Sequence, residues 1–310
     1  MSKDVYLEHN ISQQPALDLL HSMGYVYLLL QALIFSFGGI LIKTTATAFS
    51  PFMVSLLRFG LGVAILLALQ MMRGRRPTIL LANRIIVFGG IAKALHYLGE
   101  NYGVMRGFSY GNVVIWPVQT VVVLLISVLV LKEKVTARGV FGAFLCVSGI
   151  VLLTWNGMPL DAFLGGQGPL LLSFVIAGVG ASLFSVAQKK LLDKMDTVDL
   201  NGSMFIVGGL CALGTLPFVG APITGAIRLP AALCMLILGG ITAVGFLLQA
   251  EGLKTVPIFT ATIVQSSTVP LALLWAALLY HEQITPYIVA GVALFLTGII
   301  CVNLPKKANP

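Results

Sequence analysis

Apolar windows of about twenty residues, separated by proline, glycine and charged punctuation, recur ten times along the chain. Each is long enough as a helix to cross a hydrocarbon core of ~30 Å. The predicted spans are 23–43, 51–72, 84–106, 109–131, 137–155, 169–188, 200–219, 231–253, 258–280 and 284–303. The third window differs from the others. It carries Lys93, His96, Tyr97, Glu100 and Asn101, which on a helix follow the i, i+3, i+4, i+7, i+8 spacing and form one stripe opposite Ile85, Val87 and Ala92. Lys93 and His96 fall near the middle of the bilayer, where each charge costs roughly 2.5 to 3.5 kcal/mol and needs a partner, a water-filled cavity or a task.

Composition agrees with the pattern. The 310 residues are 58% hydrophobic and 10% charged, and the mean hydropathy is +0.98, outside the range of soluble domains. The expected class is therefore an all-α integral membrane protein. A net charge of +8 would suggest nucleic acid for a soluble protein, but here the basic residues cluster in short loops. With the N-terminus cytoplasmic, the inner loops hold Arg73, Arg75, Arg76, Arg84, Lys132, Lys134, Arg138, Lys189, Lys190, Lys194 and Lys254, and the tails hold Lys3, Lys306 and Lys307. The outer loops hold only Lys43, Arg106 and Arg228, while Arg58 and Lys93 lie within the membrane. The positive-inside rule thus supports ten helices with both termini cytoplasmic, and the expected location is the plasma membrane, of the bacterial inner-membrane kind. No apolar h-region precedes the first span, so residues 1–22 are expected to be a polar tail rather than a cleaved signal. Cys146, Cys211, Cys234 and Cys301 sit inside apolar runs without CxxC spacing, which argues against disulfides and a metal site.

The chain also repeats. Glu133, Thr136, Gly142, Gly149 and Ile150 pair with Glu282, Thr285, Gly291, Gly298 and Ile299 at an offset of 149, Gly89-Gly90-Ile91 with Gly239-Gly240-Ile241 at 150, and Phe37 and Lys43 with Phe184 and Lys190 at 147. Five helices per repeat is an odd number, so the second copy enters the membrane in the opposite sense. The ten helices are therefore expected to form two inverted five-helix repeats, the plan of many secondary transporters. The predicted layout is a tail over 1–22, a first repeat over 23–155, a linker over 156–168 with Pro159, Gly165 and Gly166, a second repeat over 169–304 and a tail over 305–310.

With these pieces in place the sequence resembles the drug/metabolite transporter superfamily, specifically its EamA-type members with two tandem repeats. The resemblance covers about Tyr25 to Asn303. It rests on Phe35-Ser36-Phe37 in the first helix, Arg58 in SPFMVSLLRFGLG, Pro270 twelve residues before Glu282, and the endings Lys132-Glu133-Lys134-Val135-Thr136 and His281-Glu282-Gln283-Ile284-Thr285. The first repeat departs from the pattern in having Val121 where Pro270 has its equivalent, with Pro117 one turn earlier. The resemblance implies export or uptake of small metabolites such as amino acids, drugs, nucleotide sugars or cations, through a central cavity between the halves.

The candidate substrate-binding residues are Lys93, His96, Tyr97, Glu100, Asn101, Trp116, Gln119 and Gln265. At the repeat offset Lys93, His96 and Glu100 correspond to Ala243, Phe246 and Ala250, so the fold alone does not require them. Lys93 and Glu100 are ~10 Å apart along the helix, too far for an easy direct pair but suited to the two ends of a small zwitterion. Trp116 and Gln119, with Asn112 one turn away, share a face of the fourth helix and form a candidate aromatic wall, which Tyr97 and Tyr102 could join. Gln265-Ser266-Ser267-Thr268 before Pro270 forms a polar patch where the proline frees a backbone carbonyl. Its hydroxyls could equally bond their own backbone. Glu100 is the candidate for proton coupling, because burial works against its charge while neighbouring cations favour it. Arg58 is expected to snorkel to the surface or to serve structure, Gln249 and Glu251 to form a solvated rim, and Trp275 and Tyr280 to belong to the interfacial aromatic belt.

The expected function is a secondary transporter, an exporter of a small metabolite such as an amino acid or amphipathic organic compound, working by alternating access. Uptake of an organic cation is the alternative, and a non-transporting receptor or scaffold is the rival class. No HExxH, GxSxG or Walker motif is present, so neither enzymatic chemistry nor ATP-driven transport is expected, and no cofactor is implied. The expected partners are a small-molecule substrate and the bilayer, with protons and a second copy of the chain left open and nucleic acid excluded.

Overall fold

In a computed structural model describing residues 22–107, 112, 115–130, 132, 135–155, 157, 159, 161, 168–280 and 285–303, the apolar windows form ten helices. These are α1 (Ser22–Thr45, with a turn at Ser36 and Phe37), α2 (Pro51–Met72), α3 (Arg84–Arg106), α4 (Ile115–Leu129), α5 (Ala137–Trp155), α6 (Gly168–Leu191), α7 (Thr197–Thr215), α8 (Leu229–Thr255), α9 (Ile258–Gln265 and Thr268–Tyr280) and α10 (Pro286–Asn303). Among the described residues extended pairing is limited to one antiparallel bridge, Phe49 with Ile223. Among the described residues six helices are long and apolar enough to span a membrane, and α4, α5 and α10 are shorter apolar ones. The paired endings at Glu133, Lys134 and His281 to Ile284, both tails and most of the linker lie outside the described residues.

Caps explain where helices start more closely than hydropathy does. Ser50 accepts from the Met53 amide at 3.2 Å ahead of Pro51, and Asn83 accepts from the Ile85 amide at 2.9 Å. Asp196 accepts from the Val198 amide at 2.9 Å, so α7 begins at Thr197, three residues before its apolar window. The turn in α9 falls at Ser266 and Ser267, just before Pro270, whose missing N–H cannot continue the ladder.

The helix contacts reveal the inversion. The strongest pairs are α5 with α10, α3 with α6 and α2 with α7, followed by α3 with α7, α8 with α2, α4 with α6 and α8 with α1. Exchanging helices 1 to 5 with helices 6 to 10 converts α3–α6 into α8–α1 and α3–α7 into α8–α2, and leaves α2–α7 and α5–α10 unchanged. The loops follow the same exchange at opposite ends of the bundle. At one end Ser50 N donates to Pro222 O and Thr224 N to Ala48 O, each at 3.0 Å, tying the α1–α2 link to the α7–α8 link. At the other end Thr78 N donates to Asp199 Oδ1 at 3.1 Å and Arg75 approaches Asp196 at 3.6 Å, tying the α2–α3 link to the start of α7. In lipid, close backbone packing rather than hydrophobic burial holds such pairs. A Cβ on Gly149 would lie 2.6 Å from Gly291 O, and one on Gly298 would lie 2.6 Å from Gly142 O, so α5 and α10 cross antiparallel at paired glycines.

Inversion makes a direct topological prediction. Arg75 and Ala221 are exposed and follow α2 and α7 respectively. In a background with the four native cysteines replaced, Arg75→Cys is expected to react with an impermeant thiol reagent from the cytoplasmic side and Ala221→Cys from the outside. Reaction of both from one face would overturn the inversion.

Candidate functional site

The two halves enclose a cavity of about 600 Å³, including the open space at its mouth. Its wall is drawn from α1 (Gln31, Phe35), α2 (Arg58), α3 (His96, Tyr97, Glu100), α4 and its approach (Asn112, Trp116, Gln119), α6 (Phe184, Ser185), α8 (Phe246, Gln249) and α9 (Gln265, Thr268). Of the residues named from sequence, His96, Tyr97, Glu100, Trp116, Gln119 and Gln265 are therefore brought together. Lys93 and Asn101 are fully buried but stand behind this wall, and Tyr102 turns away to accept from Arg106 at 3.0 Å.

Arg58 does not snorkel. It is 4% exposed, and its Nη1 donates to Glu100 Oε2 at 2.9 Å and Asn101 Oδ1 at 3.0 Å, while Nε reaches Thr242 Oγ1 at 3.4 Å. Asn101 passes the network on by donating to Ser55 Oγ at 2.8 Å, and Ser55 donates to Pro51 O at 2.9 Å. The partner of Glu100 is thus a cation forty-two residues away on α2, and not Lys93 on its own helix. Helix geometry explains this: residues seven apart share a face but their heads stand two turns apart, whereas α2 runs alongside α3 and places Arg58 level with Glu100.

Lys93 has a different setting. Its Nζ lies 3.0 Å from His96 Nδ1, 3.4 Å from the Phe246 ring centroid, 4.1 Å from that of Tyr97 and 5.0 Å from that of Phe184. Ring faces of this kind attract a cation. Phe246 is the repeat counterpart of His96, so where α3 carries polar groups α8 supplies the aromatic surface that receives them. Tyr97 is shared by both cations, with the Arg58 guanidinium carbon 3.6 Å from its ring centre, and its hydroxyl meets Thr242 Oγ1 at 2.9 Å. His96 Nε2 lies 4.0 Å from Glu100 Oε2. The two halves of the cluster, Arg58–Glu100 and Lys93–His96, therefore adjoin.

Two further sequence expectations are corrected. Gln249 is 3% exposed and hydrogen-bonds Gln31 at 3.1 Å, so it belongs to the cavity and not to a solvated rim. Glu251 does lie at the rim, paired with Lys254 at 2.9 Å. Trp275 donates to Ser36 Oγ at 2.8 Å and stacks on Phe37 with centroids 4.8 Å apart, which ties α9 to the turn in α1 instead of placing it in an interfacial belt. In the α9 patch, Ser266, Ser267 and Thr268 each donate to their own helix backbone, leaving Gln265 as its free polar group toward the cavity.

Sequence reasoning missed Gln31, Arg58, Phe246 and Gln249 as cavity groups, and Thr242 as the partner of Arg58 and Tyr97 behind them. The available signal was the lone amide or cation in each otherwise apolar window, at Gln31, Arg58 and Gln249. Depth alone assigned Arg58 to structure and Gln249 to a helix end, Gln31 drew no assignment, and which way each helix is turned was not legible.

The model of the EamA-like transporter family matches the chain twice, over residues 22–155 and 168–304. No curated protein gives a significant match. Among solved structures, one described only as the crystal structure of a protein aligns with a TM-score of 0.73 over 91% of this chain and 97% of that chain. At 18% identity this likeness concerns the fold alone.

Proposed function

Because the chain belongs to the EamA-like transporter family, whose members move small molecules across the bilayer, we propose that it is a secondary exporter of a small amphipathic, carboxylate-bearing metabolite such as an amino acid. The observation that carries this reading is the composition of the cavity wall. Both halves contribute to it, aromatic rings from Phe35, Trp116, Phe184 and Phe246 face polar groups from Gln31, His96 and Gln265, and Arg58 and Lys93 stand against the single carboxylate of Glu100 in the adjoining cluster. That charge balance favours a carboxylate on the substrate. An organic cation is less favoured, because the rings of Phe246 and Tyr97 already receive Lys93 Nζ.

Two lysines support alternating access as the mechanism. Lys43 at the end of α1 donates to Met105 O at 3.1 Å and Gly107 O at 2.7 Å, holding the C-terminus of α3. Lys189 at the end of α6 donates to Leu253 O near the C-terminus of α8. Since α1 packs on α8 and α3 on α6, each lysine ties one helix pair to the other, one at each membrane face. Opening toward one side then needs release of one lysine while the other holds.

The test is flux in proteoliposomes. Purified protein is expected to exchange labelled L-phenylalanine or L-leucine, and Trp116→Ala is expected to weaken binding by roughly five- to tenfold, on the order of 1 kcal/mol or more, without unfolding the protein. Binding with no flux of any amphipathic amino acid would instead favour a receptor.

A further inference from the structure

We infer that Gln31 determines specificity: its carbonyl oxygen is locked toward the cavity and accepts a hydrogen bond from an N–H group of the substrate, foremost a primary ammonium. The inference rests on reading the cavity as the substrate site. It starts from a chain of four buried amides. Gln31 Nε2 donates to Gln249 Oε1 at 3.1 Å, Gln249 Nε2 to Gln188 Oε1 at 3.0 Å, and Gln188 Nε2 to Asn201 Oδ1 at 2.8 Å. Asn201 Nδ2 then donates to two backbone carbonyls, Thr197 O at 2.8 Å and Phe246 O at 3.4 Å.

Side-chain amides can usually be turned end for end, but this chain cannot. Backbone carbonyls only accept, so Asn201 must show them its NH2 and show Gln188 its oxygen. Gln188 must then present its NH2, which also reaches Phe246 O at 3.4 Å, and offer its own oxygen to Gln249. Gln249 in turn must present its NH2, which also donates to Ser185 Oγ at 3.1 Å. The oxygen of Gln249 is thereby left for the NH2 of Gln31, and the oxygen of Gln31, a residue of the cavity wall, is left without a donor. That atom is buried and has no hydrogen-bond partner, on a residue only 1% exposed. An unmet buried acceptor is costly and calls for a donor.

The rest of the wall limits what that donor is. Glu100 is its carboxylate, and Arg58 already engages it. Besides that ion-paired carboxylate, a substrate ammonium entering this space meets neutral acceptors, and Gln31 is the one whose orientation is imposed. Gln265 on α9 leaves a buried Nε2 without a partner on the same wall. Helices α1 and α9 are tied together beside these two residues, by Thr268 Oγ1 donating to Ala32 O at 3.2 Å. A ligand group at this junction is offered an acceptor from α1 and a donor from α9.

The experiment compares probes that differ only by the amino group: L-phenylalanine with 3-phenylpropionate, and L-leucine with 4-methylpentanoate. Apparent affinities come from thermal unfolding of the purified full-length protein titrated with each. Wild type is expected to bind the amino member of each pair about tenfold more tightly. Gln31→Met should bring the amino member down to the level of its deaminated partner, and change the latter by less than about twofold. Gln249→Met, which cuts the chain and lets the intact Gln31 turn, should lose the same preference. Equal weakening of both members would assign Gln31 a packing role and overturn the inference. So would unchanged affinities, the result expected if water alone meets this oxygen, or wild type that does not distinguish the members of a pair. Absence of any shift with all four probes would overturn the amphipathic-substrate reading, and the inference with it.

Discussion

Arg58→Ala is expected to destabilise the bundle by about 3–5 kcal/mol, because it leaves the largely buried Glu100 carboxylate and Asn101 amide without the cation that holds them. Both ends of this ion pair are nearly inaccessible, with side chains 5% and 12% exposed. Removing one member of a buried pair is costly, whereas replacing both by apolar groups of similar volume is close to neutral. The double variant Arg58→Met with Glu100→Leu should therefore recover most of the stability lost by either single change, while transport stays absent. Unfolding of the four proteins in detergent measures the coupling directly. Strictly additive losses would show that Arg58 and Glu100 act independently. The same cycle built on Lys93 and Glu100 is expected to show little compensation, since Lys93 answers to His96 and the ring of Phe246 instead.

Glu100→Gln is expected to abolish accumulation driven by a pH gradient while leaving substrate exchange at equilibrium. If one proton moves with each substrate molecule, a gradient of one pH unit supports at most about tenfold accumulation, equivalent to about 1.4 kcal/mol. In the variant that ratio should fall to about one. The geometry indicates what coupling would demand. Glu100 Oε2 lies between Arg58 Nη1 at 2.9 Å and His96 Nε2 at 4.0 Å, and a guanidinium keeps its charge at every accessible pH. A proton reaching Glu100 would break the ion pair and loosen Arg58 from α3, leaving Asn101 Oδ1 and the Tyr97 ring as its holds there. Substrate arrival and a change in how α2 meets α3 would then be linked through one carboxylate. The measurement is flux in proteoliposomes with and without an imposed pH gradient. Accumulation by Glu100→Gln equal to wild type would rule out the coupling role and leave Glu100 as the anchor of Arg58.

The sequence was most informative where one physical constraint acts on every residue of a segment. A span in lipid has to satisfy its own backbone hydrogen bonds and present apolar side chains over ~30 Å, so helices announce themselves by length and composition. The repeat endings and the odd number of helices per repeat then imply inversion by parity, and the loop pairing of Ser50 with Pro222 and Thr78 with Asp199 at opposite ends carries the same geometry. The polar stripe on α3 was legible for the same reason, since a charge in an apolar window stands out whatever surrounds it.

Partners were another matter. That a buried Arg58, Gln31 or Gln249 needs a hydrogen-bond partner follows from its residue type and depth. The identity of that partner depends on how each helix is rotated and which helix lies beside it, and the spacing along one chain contains neither. Arg58 meets Glu100 across forty-two residues and Gln31 meets Gln249 across 218. Hydropathy also misjudged Trp275, whose indole is satisfied by Ser36 at the turn of α1, a group that exists only once α1 and α9 are packed. The sequence by itself determined the helices, their number and their opposed halves, because the bilayer imposes the same local demand on every span. Only the tertiary structure decided which polar groups face the cavity and which are consumed in holding it, because buried polar groups are satisfied by neighbours in space.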